Sequence, residues 1–87
     1  MNLDTELFID GDYTPASDGG TFPTINPANG AEIARISAAT PADVDRAVRA
    51  ARAAFDDGRW SRATPRHRKQ VLLRFAELVR RHTERLA

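Results

Sequence analysis

The ten residues Thr21-Phe22-Pro23-Thr24-Ile25-Asn26-Pro27-Ala28-Asn29-Gly30 constrain this chain more than any others. A short extended run carries a proline at its centre and ends in Asn-Pro-Ala-Asn-Gly. Pro23 has no N–H to give a ladder, so the run reads as an edge strand or as irregular backbone. Asn26 precedes a proline and is pushed toward extended geometry. Pro27 to Gly30 then reads as a tight turn, since Asn and Gly tolerate left-handed angles. A capped amphipathic helix follows within about ten residues. A chain with this order is a ribbon that turns back and feeds a helix.

The flanking segments fit that order. Leu7-Phe8-Ile9 is strand-like, and Asp10-Gly11 is a strong two-residue hairpin signal because Gly tolerates positive φ. Asp12-Tyr13-Thr14 is the returning strand. Pro15 and Ser17-Asp18-Gly19-Gly20 break regular structure. Ala31 to Ser37 extends again. Ile33 and Ile36 do not alternate in it, which predicts burial on both faces or a bulge.

Thr40-Pro41-Ala42-Asp43 opens a helix over 40–57. Thr40 suits the N-cap, Pro41 the first helical position and Asp43 the acid-favouring first turn. Val44, Ala47, Val48, Ala51 and Phe55 recur at helical spacing and form the expected core-facing stripe. Asp45 and Arg49 are spaced to pair on the other side. Gly58 is the expected residue just past the helix end, and Trp60 is expected to plug against the helices. Thr64-Pro65 repeats the cap-then-proline device and starts a helix over 64–87. Its apolar stripe is Val71, Leu72, Phe75, Leu78, Val79 and Leu86. No Gly, Asn or Pro closes that pattern by Ala87. The expectation is an interruption there and one partial domain over 1–87. Residues 7–37 form its β ribbon, and the helical stripes await cover from further chain or another subunit. The fold class is α/β.

Composition excludes several function classes. The 87 residues contain no cysteine, which removes disulfides, thiolate metal sites and cysteine nucleophiles. No apolar run approaches the roughly 20 residues that span a bilayer, so no membrane partner is expected. The acidic start Met1-Asn2-Leu3-Asp4-Thr5-Glu6 does not resemble a secretory leader, and the cytoplasm is the expected location. Residues 1–45 carry eight acids and one base, and residues 46–87 carry twelve bases and four acids. A basic half raises nucleic acid as a partner. However, the C-terminal arginines spread around their helix and are interrupted by Glu77 and Glu84, whereas a nucleic-acid footprint clusters on one face. No specific nucleic-acid partner is expected. A small basic helical nucleic-acid-binding or protein-interaction module is the alternative reading.

Other motifs are weak. His67 and His82 lie fifteen apart, not at the (i, i+4) spacing of helical metal pairs. Gly19-Gly20 lacks the helix N-terminus a phosphate cradle needs. Asp10-Gly11-Asp12 lacks the spaced ligands of a calcium loop.

Taken as a set, Leu7 to Tyr13, Thr21 to Gly30 and Ala42 to Phe55 resemble the amino-terminal opening of the NAD(P)-dependent aldehyde dehydrogenase superfamily. Trp60, Thr64-Pro65 and Arg74-Phe75-Ala76-Glu77-Leu78 continue the resemblance in register, so it spans about residues 7–87. The wording at Tyr13-Thr14 and at Asn26 to Gly30 is closest to betaine-aldehyde dehydrogenases, although Tyr13 stands where many members have Trp.

The resemblance implies an incomplete piece of a nucleotide-binding α/β domain. It implies a parent that oxidises an aldehyde to a carboxylic acid with NAD or NADP, and that assembles as a homo-oligomer. In such proteins a cysteine attacks the aldehyde, hydride passes to the nicotinamide and a glutamate activates water; the oxyanion and the deacylation step need those groups. None maps here, and Glu77 and Glu84 are not substitutes. No catalytic or cofactor-binding residue is expected, and this chain alone is expected to bind no cofactor and be inactive. One carry-over remains: similar proteins hold a structural monovalent cation on backbone carbonyls at the position of Thr24 and Ile25. The remainder of the parent chain would supply its other ligands.

Overall fold

The computed structural model describes residues 3–87. The chain gathers into two compact units, one up to Ala53 and one from Ala54 to Ala87. Neither holds a sizeable apolar core among the described residues. Ala16 is the buried apolar side chain among the described residues, whereas Phe8, Val48, Phe55, Leu73 and Phe75 are 60% exposed or more.

In the first unit, β1 (Leu7–Ile9) and β2 (Asp12–Thr14) form the hairpin expected from Asp10-Gly11. Both turn residues are left-handed, with φ of 53° and 83°, as the primed two-residue turn requires. Phe8 pairs with Tyr13 across the hairpin, their ring centroids 5.0 Å apart. The Tyr13 hydroxyl donates to Asp4 Oδ2 at 3.2 Å.

The second ribbon pairs β3 (Thr21–Ile25) with β4 (Glu32–Ser37). Its turn is held by side chains. Asn26 Oδ1 accepts from the Ala28 N–H and Asn29 Oδ1 from the Ala31 N–H, both at 2.9 Å. Thr24 pairs with Ala34 but Ile25 pairs with Glu32, so Ile33 is the extra residue of a bulge. The bulge settles the non-alternating isoleucines. Ile33 is 53% exposed while Ala34 and Ile36, two apart, share the half-buried face.

The ladder also explains Pro23. The Ala38 N–H donates to the Gly20 carbonyl and the Asn26 N–H to the Ala31 carbonyl. Antiparallel pairs alternate between bonded and non-bonded positions. Counting from those two bonds, Phe22–Ile36 and Thr24–Ala34 are bonded pairs and Pro23–Arg35 is not. The proline sits where no N–H is needed.

Helix α1 (Pro41–Asp56) begins at Thr40, whose Oγ1 accepts from the Asp43 N–H at 3.2 Å. Asp45 and Arg49 pair at 2.6 Å as their spacing predicted. The expected stripe is largely open in this chain. Asp43 is buried and Ala47, Ala50 and Ala54 are half-buried, while Val44, Val48, Ala51 and Phe55 are exposed. Val44, Ala47, Val48 and Ala51 nevertheless line the groove facing the first hairpin, described below.

In the second unit, the connector caps the end of α1. Gly58 is left-handed at φ 78°, the geometry that follows a helix end. Ser61 Oγ donates to the Phe55 carbonyl at 2.7 Å and Arg62 Nη1 to the Asp56 carbonyl at 3.2 Å. These carbonyls are among those a helix end leaves unpaired. Asp57 is held below the ordinary carboxylate range, chiefly by its bond from the Arg59 side chain and then by the Arg59 N–H. Trp60, expected to plug against the helices, keeps 41% of its surface exposed.

Helix α2 (Pro65–Arg81) starts as predicted: Thr64 is extended and accepts from the His67 N–H at 3.1 Å. It stops earlier than the predicted 64–87 span. His82 leaves helical geometry, the Thr83 hydroxyl takes the Arg80 carbonyl at 2.7 Å, and a short α3 (Thr83–Leu86) follows. A Thr hydroxyl that bonds the preceding turn competes with continuation of the helix.

Candidate functional site

The described residues hold no set of three or more His, Cys, Asp or Glu able to grip a metal. His67 lies in the first turn of α2 and His82 at its end. Glu77 is held on the surface by Arg74 at 3.1 Å and Arg81 at 3.5 Å. Those pairs break the basic face of α2 and weigh against a nucleic-acid footprint.

Thr24 and Ile25 sit on β3 beside the bulge. A trans peptide turns the carbonyl of one residue opposite to the N–H of the next. Because the Asn26 N–H points to β4, the Ile25 carbonyl faces the free edge of β3. Thr24, in a bonded pair, turns its carbonyl to β4. Of the two backbone oxygens, Ile25's is the one open to a ligand from that side.

An open apolar groove of about 400 Å³ runs between the first hairpin and α1. Leu7, Phe8 and Ile9 line one side and Val44, Val48 and Ala51 the other. Asp43 also lines it, with its carboxylate taken up by the hydrogen bonds described next, so the groove chiefly offers apolar surface.

Beside it lies an elaborate polar arrangement. Asp43 is 1% exposed. Its Oδ2 accepts from the Ser17 N–H at 3.1 Å, the Thr40 N–H at 2.9 Å and the Thr40 hydroxyl at 3.0 Å. Arg46 Nη2 donates to Oδ1 at 2.7 Å. The Ser17 and Thr40 hydroxyls meet at 2.8 Å. The Thr40 N–H bond, then the Arg46 side chain, hold the Asp43 carboxyl far below its ordinary range. Position at a helix N-terminus also favours the anion. Sequence reasoning placed Asp43 only as a first-turn acid. The available signal was Thr-x-x-Asp, a reciprocal capping spacing, but nothing local pointed to Ser17.

The family model described as "Aldehyde dehydrogenase family" matches residues 13–87. The chain belongs to the aldehyde dehydrogenase family. It is 46% identical over 83 residues to "Aldehyde dehydrogenase family 2 member B4, mitochondrial" of Arabidopsis thaliana, covering 95% of this chain and 15% of that protein. The P. syringae indole-3-acetaldehyde dehydrogenase AldA, solved with NAD+, superposes with a TM-score of 0.90 at 42% identity, over 99% of this chain and 17% of that one. A betaine aldehyde dehydrogenase from Staphylococcus aureus, also solved with NAD+, gives a TM-score of 0.88 at 34% identity, over 98% and 17%. The chain therefore spans less than a fifth of the length of each of these dehydrogenases. Its ribbons and helices are the α/β amino-terminal part of their fold.

Proposed function

We propose that this chain is the amino-terminal framework of an oxidoreductase that oxidises an aldehyde to a carboxylic acid with NAD or NADP. One observation carries the reading. Nearly the whole chain, 99%, superposes on 17% of an NAD+-bound aldehyde dehydrogenase. The matched stretch holds no cysteine and no cluster of catalytic carboxylates. The nucleophile, the base and the cofactor cradle then belong to the rest of the parent, which is also the partner that covers the exposed faces. The 87 residues alone have no dehydrogenase activity.

The same reading extends to the assembled protein. It works in the cytoplasm as a homo-oligomer. The Thr24–Ile25 segment contributes to a structural monovalent-cation site, with the Ile25 carbonyl as the ligand this chain offers. A hard cation accepts such backbone oxygens. No step of the oxidation runs through it.

The test is aldehyde-dependent NADH formation. The isolated chain gives none above background across a panel of aliphatic and aromatic aldehydes. A coding sequence that continues past Ala87 into a glycine-rich segment, a glutamate and a cysteine supports the parent. Turnover by the isolated chain would sink the reading.

A further inference from the structure

The two most buried side chains of the described chain are Ala16 at 4% and Asp43 at 1% exposure, and one set of hydrogen bonds joins their neighbourhoods. A carboxylate withdrawn from water is costly unless its oxygens are satisfied. Here they are: among the described residues no buried side-chain nitrogen or oxygen lacks a partner. The donors come from Ser17, Thr40 and Arg46. The Ser17 bond closes 26 residues of chain. No donor comes from a strand ladder, and the apolar face of α1 that carries Val44 and Val48 takes no part.

We infer that Asp43 is a latch, a conformational device that sets the 15–20 loop, with its one buried apolar side chain Ala16, against the start of α1 through hydrogen bonds. A loop held by core contacts loses its place when the core is uncovered. A loop held by a charge-assisted network keeps it, because bonds to an ionised acceptor are the strong ones. The inference does not depend on the parent being a dehydrogenase.

The test is residue-resolved amide hydrogen exchange on the full 87-residue chain. The Ser17 and Thr40 amides exchange roughly tenfold or more slowly than unstructured amides, the protection one hydrogen bond to a charged group gives. Asp43→Ala removes the acceptor and with it that protection, and leaves the α2 amides unchanged, since α2 has its own Thr64 cap. Ser17→Ala keeps it, because the backbone N–H still donates. Val48→Glu also keeps it. Unprotected Ser17 and Thr40 amides in the unaltered chain would overturn the latch. So would protection that survives Asp43→Ala, protection that Val48→Glu abolishes, or an Asp43→Ala change that melts α2 as well.

Discussion

Asp43 Oδ2 accepts the backbone N–H of Ser17 at 3.1 Å, across 26 residues of intervening chain. That bond joins the loop after the first hairpin to the first turn of α1. The line through Asp43, Ala47, Ala50 and Ala54 is the sheltered one, and the larger side chains stay open.

The bond sets a pH dependence. The Asp43 carboxyl is depressed in the folded chain, first by the Thr40 N–H and then by Arg46. A depressed carboxyl stabilises the fold fully above its unfolded pKa, near 4. The contribution declines as pH falls through that value and is gone only below the folded pKa. The first unit should therefore keep its loop–helix contact from neutral pH to about 5, then loosen progressively in stronger acid. Shifts of the Ser17 and Thr40 amide resonances during an acid titration read this. Loosening that begins near pH 6.5 would point to a histidine, and none lies in this unit.

The cap of α2 is independent of that network. Thr64→Ala removes the acceptor for the His67 N–H and should cost about 1 kcal/mol of helix stability. Loss of far-UV helical signal with the Ser17 amide unshifted is the expected pattern.

The β3–β4 ladder makes a paired prediction. Pro23→Val is close to neutral because position 23 donates no bond to β4. Thr24→Pro removes a ladder donor and should destabilise the ribbon by about 1 kcal/mol or more, the net worth of a hydrogen bond plus any donor or acceptor left unpaired. Cross-strand contacts between residues 22 and 36 report both. Equal effects of the two changes would refute the assigned register.

Much of this was legible in residue chemistry. Asp10-Gly11 gave the first hairpin, Thr40-Pro41 and Thr64-Pro65 gave both helix starts, and Ile33 with Ile36 flagged the bulge. These signals are local, and local backbone preference is what a sequence displays. The misses are non-local or are set by competition. Asp43 looked like an ordinary first-turn acid because its distant partner, Ser17, carries no periodic mark. The break at His82 lacked glycine or proline because Thr83 makes it through a hydroxyl.

The exposed faces bear on the whole reading, because apolar surface on this scale marks a contact region. Scanning calorimetry of the 87-residue chain tests it. A cored domain of this length unfolds with about 60 kcal/mol, at ~0.7 kcal/mol per residue. A framework piece lacking its cover should give a broad trace with well under half that heat, and a signal that changes with protein concentration as the open stripes associate. A sharp, concentration-independent two-state peak of the full size, from a monomer, would mean that these residues are a finished protein.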